Sequence, residues 1–286
     1  MYNAAVKTSG NYTLKIVHDE DAQSPREWDN LGKMVCWHRN YNFGDNHNFS
    51  EPIDFIRDLA DSVTTIELIR YVREGSAKGL RFQKNDDDQT ISLMSYWDFS
   101  KKWYEEYSAP LPLSESDSYL RNKILDNMEI DDLRHLAEQR NLIYPLFLYD
   151  HSVQSISMQS FIGRAHHADW DSMQVGFVYV SHADVAKEYG DASPENIERA
   201  RKLLNAETET YDSYMRGECY GFQLFKDGVE QDSCWGFLGT FQEAKEAIRE
   251  YLPEDAVALA NEAEYGDDED EYEPEDETDM EMGDDE

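Results

Sequence analysis

Positive charge is what this chain has least of. Its 286 residues carry 26 Lys and Arg against 61 Asp and Glu, a formal net charge of −35. Phosphate contacts need Lys and Arg to release counterions, and a field of this sign repels nucleic acid, so unaided DNA or RNA binding is excluded as an expectation. Cysteine is also scarce: Cys36, Cys219 and Cys234 are an odd number without metal-type spacing. That excludes a disulfide framework and suits free thiols in a reducing cytoplasm. No apolar run approaches the roughly 20 residues of a membrane span, and Met1 to Lys7 lacks the apolar core of a signal peptide. Nucleotide-phosphate loops are missing as well, with neither Gly-x-Gly-x-x-Gly nor a Gly-Lys-Ser/Thr element. A cytoplasmic protein without a cofactor is the expectation.

What remains is rich in core-forming residues, 40% hydrophobic and 13% aromatic. The firmest ordered stretch is Leu142 to His182. Leu142–Tyr149 is a continuous apolar run, Val153–Met158 alternates, and Val175–Val180 is β-branched and aromatic, so three strands are expected there. Tyr12–Val17 reads as the first strand after a loose leader over residues 1 to 10. Ser24-Pro25-Arg26-Glu27 carries the start signal of a short helical turn, and Asn40–Asp45 is a turn-rich loop with Gly44 free to take positive φ. A helix follows Ser50; Ile66–Val72 suits a helix or a buried strand; Asn85–Asp88 is a turn. Ile91–Tyr96 alternates like a strand, and Phe99–Tyr104 suits a helix. Glu129–Arg140 is amphipathic. Ser193-Pro194-Glu195 opens a long helix that Gly217 stops, a hairpin turns at Asp227-Gly228, and a last helix starts at the Thr240 to Glu243 capping box.

These elements predict an α+β fold, a mixed or antiparallel sheet flanked by helices. The prolines at 110 and 112 mark a possible linker over 110–118, separating an N-terminal region 1–109 from a C-terminal domain 119–261. Residues 262–286 hold 16 Asp or Glu and no Lys or Arg. They read as a disordered acidic tail. The remaining 261 residues still hold 45 acids against 26 bases, so the folded part is acidic in its own right, at −19.

Five strings resemble an uncharacterised protein family of phages, prophages and plasmids: SPREWDNLGKMVCWHRNYNFGD from Ser24, PLFLYDHS at 145–152, WDSMQVGFVYVS at 170–181, ETYDSYMRGECYGF at 209–222 and DSCWGFLG at 232–239. Residues 46–130 and the acidic tail depart from it. The resemblance implies a mobile-element origin and carries no catalytic residues with it.

Two constellations are candidates for a site. Asp150-His151-Ser152 with His166, His167, Asp169 and Asp171 gathers imidazoles and carboxylates at strand ends, where they could hold a divalent metal or move protons. The spacing matches no metal signature, and an Asp-His-Ser turn is commonly structural. Trp28, Asp29, His38 and Asp45, with Trp170, form an aromatic and acidic set of the kind that binds protein partners, although such Trp residues are more often core. Cys234 beside Trp235 has no evident base.

The reading that follows is a non-enzymatic interaction protein that binds and modulates a host protein through its acidic surface. The partner would present a basic surface, such as a nucleic-acid-processing or defence factor, and the sharper form is a counter-defence inhibitor or DNA mimic in a basic groove. The alternatives are a metal-dependent hydrolase or nuclease using the His/Asp cluster, and an accessory protein whose acidity serves solubility alone.

Overall fold

The computed structural model describes residues 3–87, 89–151 and 153–266. In chain order, strands β1 (Asn3–Ser9), β2 (Tyr12–His18) and β3 (Lys33–Cys36) precede helices α1 (Pro52–Ala60) and α2 (Thr65–Arg73). Strands β4 (Leu80–Lys84), β5 (Thr90–Trp97) and β6 (Lys102–Pro110) lead to α3 (Ser118–Asp126) and α4 (Ile130–Glu138). Then come β7 (Asn141–Asp150), β8 (Gln154–Ser157), the single-turn α5 (Ala168–Asp171), β9 (Ser172–Ser181), α6 (His182–Tyr189) and α7 (Pro194–Met215). The chain closes with β10 (Cys219–Lys226), β11 (Val229–Leu238), α8 (Phe241–Ile248) and α9 (Val257–Glu262). Strand pairing is antiparallel throughout, so the α+β expectation holds.

The chain divides into two compact units, and the division does not fall at 110–118. One unit joins residues up to Glu27 with those from Thr210 onward; the other is Trp28–Glu209. The first is built on a sheet of order β1-β2-β10-β11. Its β1 lies where a loose leader was expected. Ala4, Ala5 and Val6 are all buried there, and small side chains let the strand lie close under α9. Leu14, Ile16, Phe222 and Leu224 of the sheet pack with Ala244, Ile248, Leu259 and Ala263. Burial of each Leu, Ile or Phe contributes about 1.5–3 kcal/mol. The hairpin turn is made by Asp227 and Gly228, both at positive φ (50° and 75°), the combination that matches strand twist.

That packing also moves the boundary of the tail. Ala263 is buried, Gly266 N–H donates to the Ala4 carbonyl at 2.8 Å, and Tyr265 Oη lies 3.2 Å from His18 Nε2. Residues 262–266 therefore belong to the fold, because the Ala-rich turn of α9 has apolar surface to bury. The rest of the expected tail, 267–286, lies outside the described residues, as do Asp88 and Ser152.

The second unit holds a sheet of order β3-β9-β7-β8 and another of order β4-β5-β6. Phe55 and Ile56 of α1, Leu68 of α2, Leu93 of β5, Leu120 and Ile124 of α3, and Leu133 and Leu136 of α4 share one core. The residues on either side of 110–118 thus bury their apolar faces against each other. The expected linker is part of that core: Leu111 N–H donates to the Gln89 carbonyl at 2.8 Å, and Leu111 and Leu113 pack against the buried cluster. Asp117 accepts the Leu120 N–H at 2.9 Å and caps α3. The three strands expected within 142–182 are β7, β8 and β9, and α7 spans 22 residues as its period suggests.

Phe99–Tyr104, expected as a helix, is the turn and start of β6. Trp97 pairs with Lys102 and Tyr96 with Trp103, so the aromatics on either side meet across a hairpin instead of stacking along a helix. Cross-strand aromatic pairs favour that arrangement.

Candidate functional site

The β5–β6 hairpin carries the most exposed aromatic surface of the second unit. At its turn Phe99 is 96% exposed and Trp97 64% exposed, and Lys101 takes a positive φ of 54°. The alternation of a strand places Ser95 and Trp97 on one face, and Tyr104 lies directly opposite Ser95. Trp97 and Tyr104 meet edge to face, centroids 6.0 Å apart at 88°. A register shift after Leu93 puts Glu105 and Glu106 against Met94, and this bulge turns Glu106 toward Ser95, whose hydroxyl donates to Glu106 Oε1 at 2.6 Å. Ser95, Trp97, Tyr104 and Glu106, with Tyr96 and Asn127, line a cleft of about 460 Å³. Tyr96 pairs with Trp103 at 5.3 Å, and the Arg81 guanidinium lies 4.0 Å over the Trp103 ring. The sheet therefore already seats one cation on an aromatic face.

The sequence signal for this hairpin is Tyr96-Trp97 and Trp103-Tyr104, two aromatic pairs flanking a five-residue segment with two lysines. Only pairing across a turn joins these rings, as two pairs: Tyr96 with Trp103 and Trp97 with Tyr104.

The structure does bring the three expected histidines together. His166 and His167 rings are 3.8 Å apart between centroids, and His151 and His167 are 6.4 Å apart. Tyr149 Oη donates to the His166 carbonyl at 2.9 Å, and His167 holds a left-handed φ of 57° before α5. Asp150 and Asp169 are exposed and Asp171 is half-buried. Among the described residues, no group of three or more His, Cys, Asp or Glu side chains is placed to hold a metal ion. The imidazoles converge without the carboxylates closing a ligand set around them.

The other expected set separates. His38 and Asp45 line a depression of about 540 Å³ in the loop after β3, whereas Trp28 and Asp29 are absent from its lining and Trp170, 88% exposed, stands on α5. The polar groups of this loop hold its own backbone. Asp45 Oδ2 accepts the Met34 N–H at 2.8 Å, and the Asp45 N–H returns to the Met34 carbonyl at 2.8 Å. His47 Nε2 lies 2.8 Å from the Cys36 carbonyl, Trp37 Nε1 donates to the Phe49 carbonyl at 3.0 Å, and His38 stacks on Tyr41. Gly44 takes the positive φ expected of it, 72°, where a Cβ would meet the Met34 carbonyl.

In the first unit, burial and the nearby Asp19 carboxylate push the Cys219 thiol up to about 11. That thiol stays protonated at neutral pH and is a poor nucleophile. Among the described residues no helix is long and apolar enough to cross a membrane. Comparisons with family models, with curated proteins and with solved structures give no match for this chain.

Proposed function

We propose that this chain is an acidic interaction protein that binds a partner protein with a basic surface, and that the turn of the β5–β6 hairpin is where contact is made. The observation that carries the reading is the exposure of Trp97 and Phe99, two positions apart at one turn, at 64% and 96%. Single exposed apolar side chains are ordinary, but adjacent large aromatics rimmed by charge are the usual anchors of protein interfaces. The charge supplies the sign of the partner. With 45 acids against 26 bases before residue 262, like-charged surfaces are repelled and basic ones are drawn in. The narrower form is that the partner's basic surface is a nucleic-acid groove of a host factor, occupied by a mobile-element inhibitor; the sign of the charge and the family resemblance support it.

Affinity capture at about 0.1 M and about 1 M salt tests the reading, because the screening length falls from about 10 to about 3 Å between them. A basic partner retained only at the lower salt, and released by free duplex DNA in the narrower form, is the expected result. Capture that ignores salt, or that selects acidic proteins, contradicts it.

A further inference from the structure

We propose that the cleft between Trp97, Tyr104 and Glu106 is a receptor for one arginine side chain of the partner, a proposal that rests on the interaction reading above. Three features of the cleft define that ligand. The perpendicular rings of Trp97 and Tyr104 give two electron-rich walls at 6.0 Å and 88°, which a flat cation can meet with one face and one edge. The Glu106 carboxylate lies in the same cleft, fixed at Oε1 by the Ser95 hydroxyl, and among the described residues no Lys or Arg pairs with it. A guanidinium placed there gains a charge-assisted hydrogen bond while stacking. Finally, the same hairpin holds the Arg81 guanidinium 4.0 Å over Trp103, so its indoles accept guanidinium groups at van der Waals distance. A neutral aromatic ligand would leave the Glu106 charge without a counterion. A second copy of this acidic chain is disfavoured by repulsion.

The test uses the full-length protein, labelled with nitrogen-15, and a capped Gly-Arg-Gly peptide as probe, with the Gly-citrulline-Gly and Gly-Lys-Gly peptides as controls. Citrulline keeps the shape of arginine and removes the charge. The expected result is a saturable shift of the Trp97 indole N–H resonance with the arginine peptide, with the Trp235 resonance unmoved. Affinity should fall roughly tenfold with citrulline, and by a similar factor in Glu106→Gln, whose remaining spectrum reports an intact fold. Weaker binding of the lysine peptide is expected, because an ammonium cannot stack. Overturning results are a Trp97 resonance that the arginine peptide does not move, equal shifts with citrulline, or an unchanged affinity in Glu106→Gln. Equal binding of lysine overturns the assignment to arginine. A failed titration leaves salt-dependent capture of a basic partner unaffected, and failed capture leaves the titration unaffected, so the two ideas fail separately.

Discussion

The indole of Trp97 and the phenol of Tyr104 stand edge to face, 6.0 Å apart, on a hairpin whose turn residue Phe99 is almost wholly in solvent. A ring left in water contributes little to folding, since the burial that would stabilise it never occurs. Phe99→Ala should therefore change the free energy of unfolding by no more than about 0.5 kcal/mol, measured by urea denaturation. A loss of several kcal/mol would show that the ring is packed in solution and would remove it as a contact residue.

Glu207 binds the loop before β3 from far along the chain, its carboxylate accepting the N–H groups of Leu31 at 2.7 Å and Gly32 at 2.9 Å. A Cβ on residue 32 would lie 2.2 Å from Leu204 Cδ2 and 2.8 Å from Glu207 Oε2. Gly32→Ala should cost about 1–3 kcal/mol by overpacking. Its cost should shrink when Leu204→Ala makes room, a coupling that a double-mutant cycle reads directly.

The phenol of Tyr71 donates to Asp132 Oδ1 at 3.0 Å, and the same carboxylate accepts the Lys78 N–H at 2.8 Å. Burial first, then the Asp132 carboxylate, push Tyr71 up to about 12 from 10.0. A raised folded-state value means that the contribution is fully present below the unfolded value near 10 and is lost as pH rises through about 12. Tyr71→Phe should cost about 1 kcal/mol or a little more at neutral pH. Its stability difference from wild type should stay constant up to about pH 10 and close above it. A difference that persists undiminished at pH 12 would contradict the assignment.

Residues 262–266 close the first unit. A chain ending at Asn261 loses buried Ala263, the Lys245 Nζ bond to the Ala263 carbonyl at 2.9 Å and the Gly266 bond to Ala4. It should be about 2–3 kcal/mol less stable than a chain ending at Gly266. Equal denaturation midpoints for the two would place the boundary at 261 after all.

Much of the fold is written in local periods. Leu142–Tyr149 and Val175–Val180 are apolar runs bounded by polar clusters, and Ile197, Ala200 and Leu204 recur at helical spacing, so β7, β9 and α7 follow from short windows of sequence. Asn3–Ser9 has no such signature. Its Ala4 and Ala5 are buried only because α9, more than 250 residues later, covers them. The helix expected over Phe99–Tyr104 gives way to a hairpin for a related reason: Lys101-Lys102-Trp103-Tyr104 has acceptable helix formers, and the cross-strand pairing of Trp103 with Tyr96 outweighs that propensity. The sign proposed for the partner comes from composition alone. The place proposed for contact comes from exposure, a property of the folded chain: Phe99 is 96% exposed, and Phe55 is fully buried. The histidine set lies between these cases, since its convergence depends on the strand ends of β7 and β9 and its lack of a ligand geometry on side-chain directions.

The most direct measurement compares the affinity of the captured partner for wild-type protein, for Trp97→Ala/Phe99→Ala, and for Trp170→Ala, by calorimetry at low salt. Trp170 is the control because it is 88% exposed on a different element. Loss of both hairpin aromatics should weaken binding at least roughly a hundredfold, the scale of two interface anchors, while Trp170→Ala leaves it within about twofold. Unchanged affinity for the hairpin variant, or a loss confined to Trp170→Ala, would contradict the account.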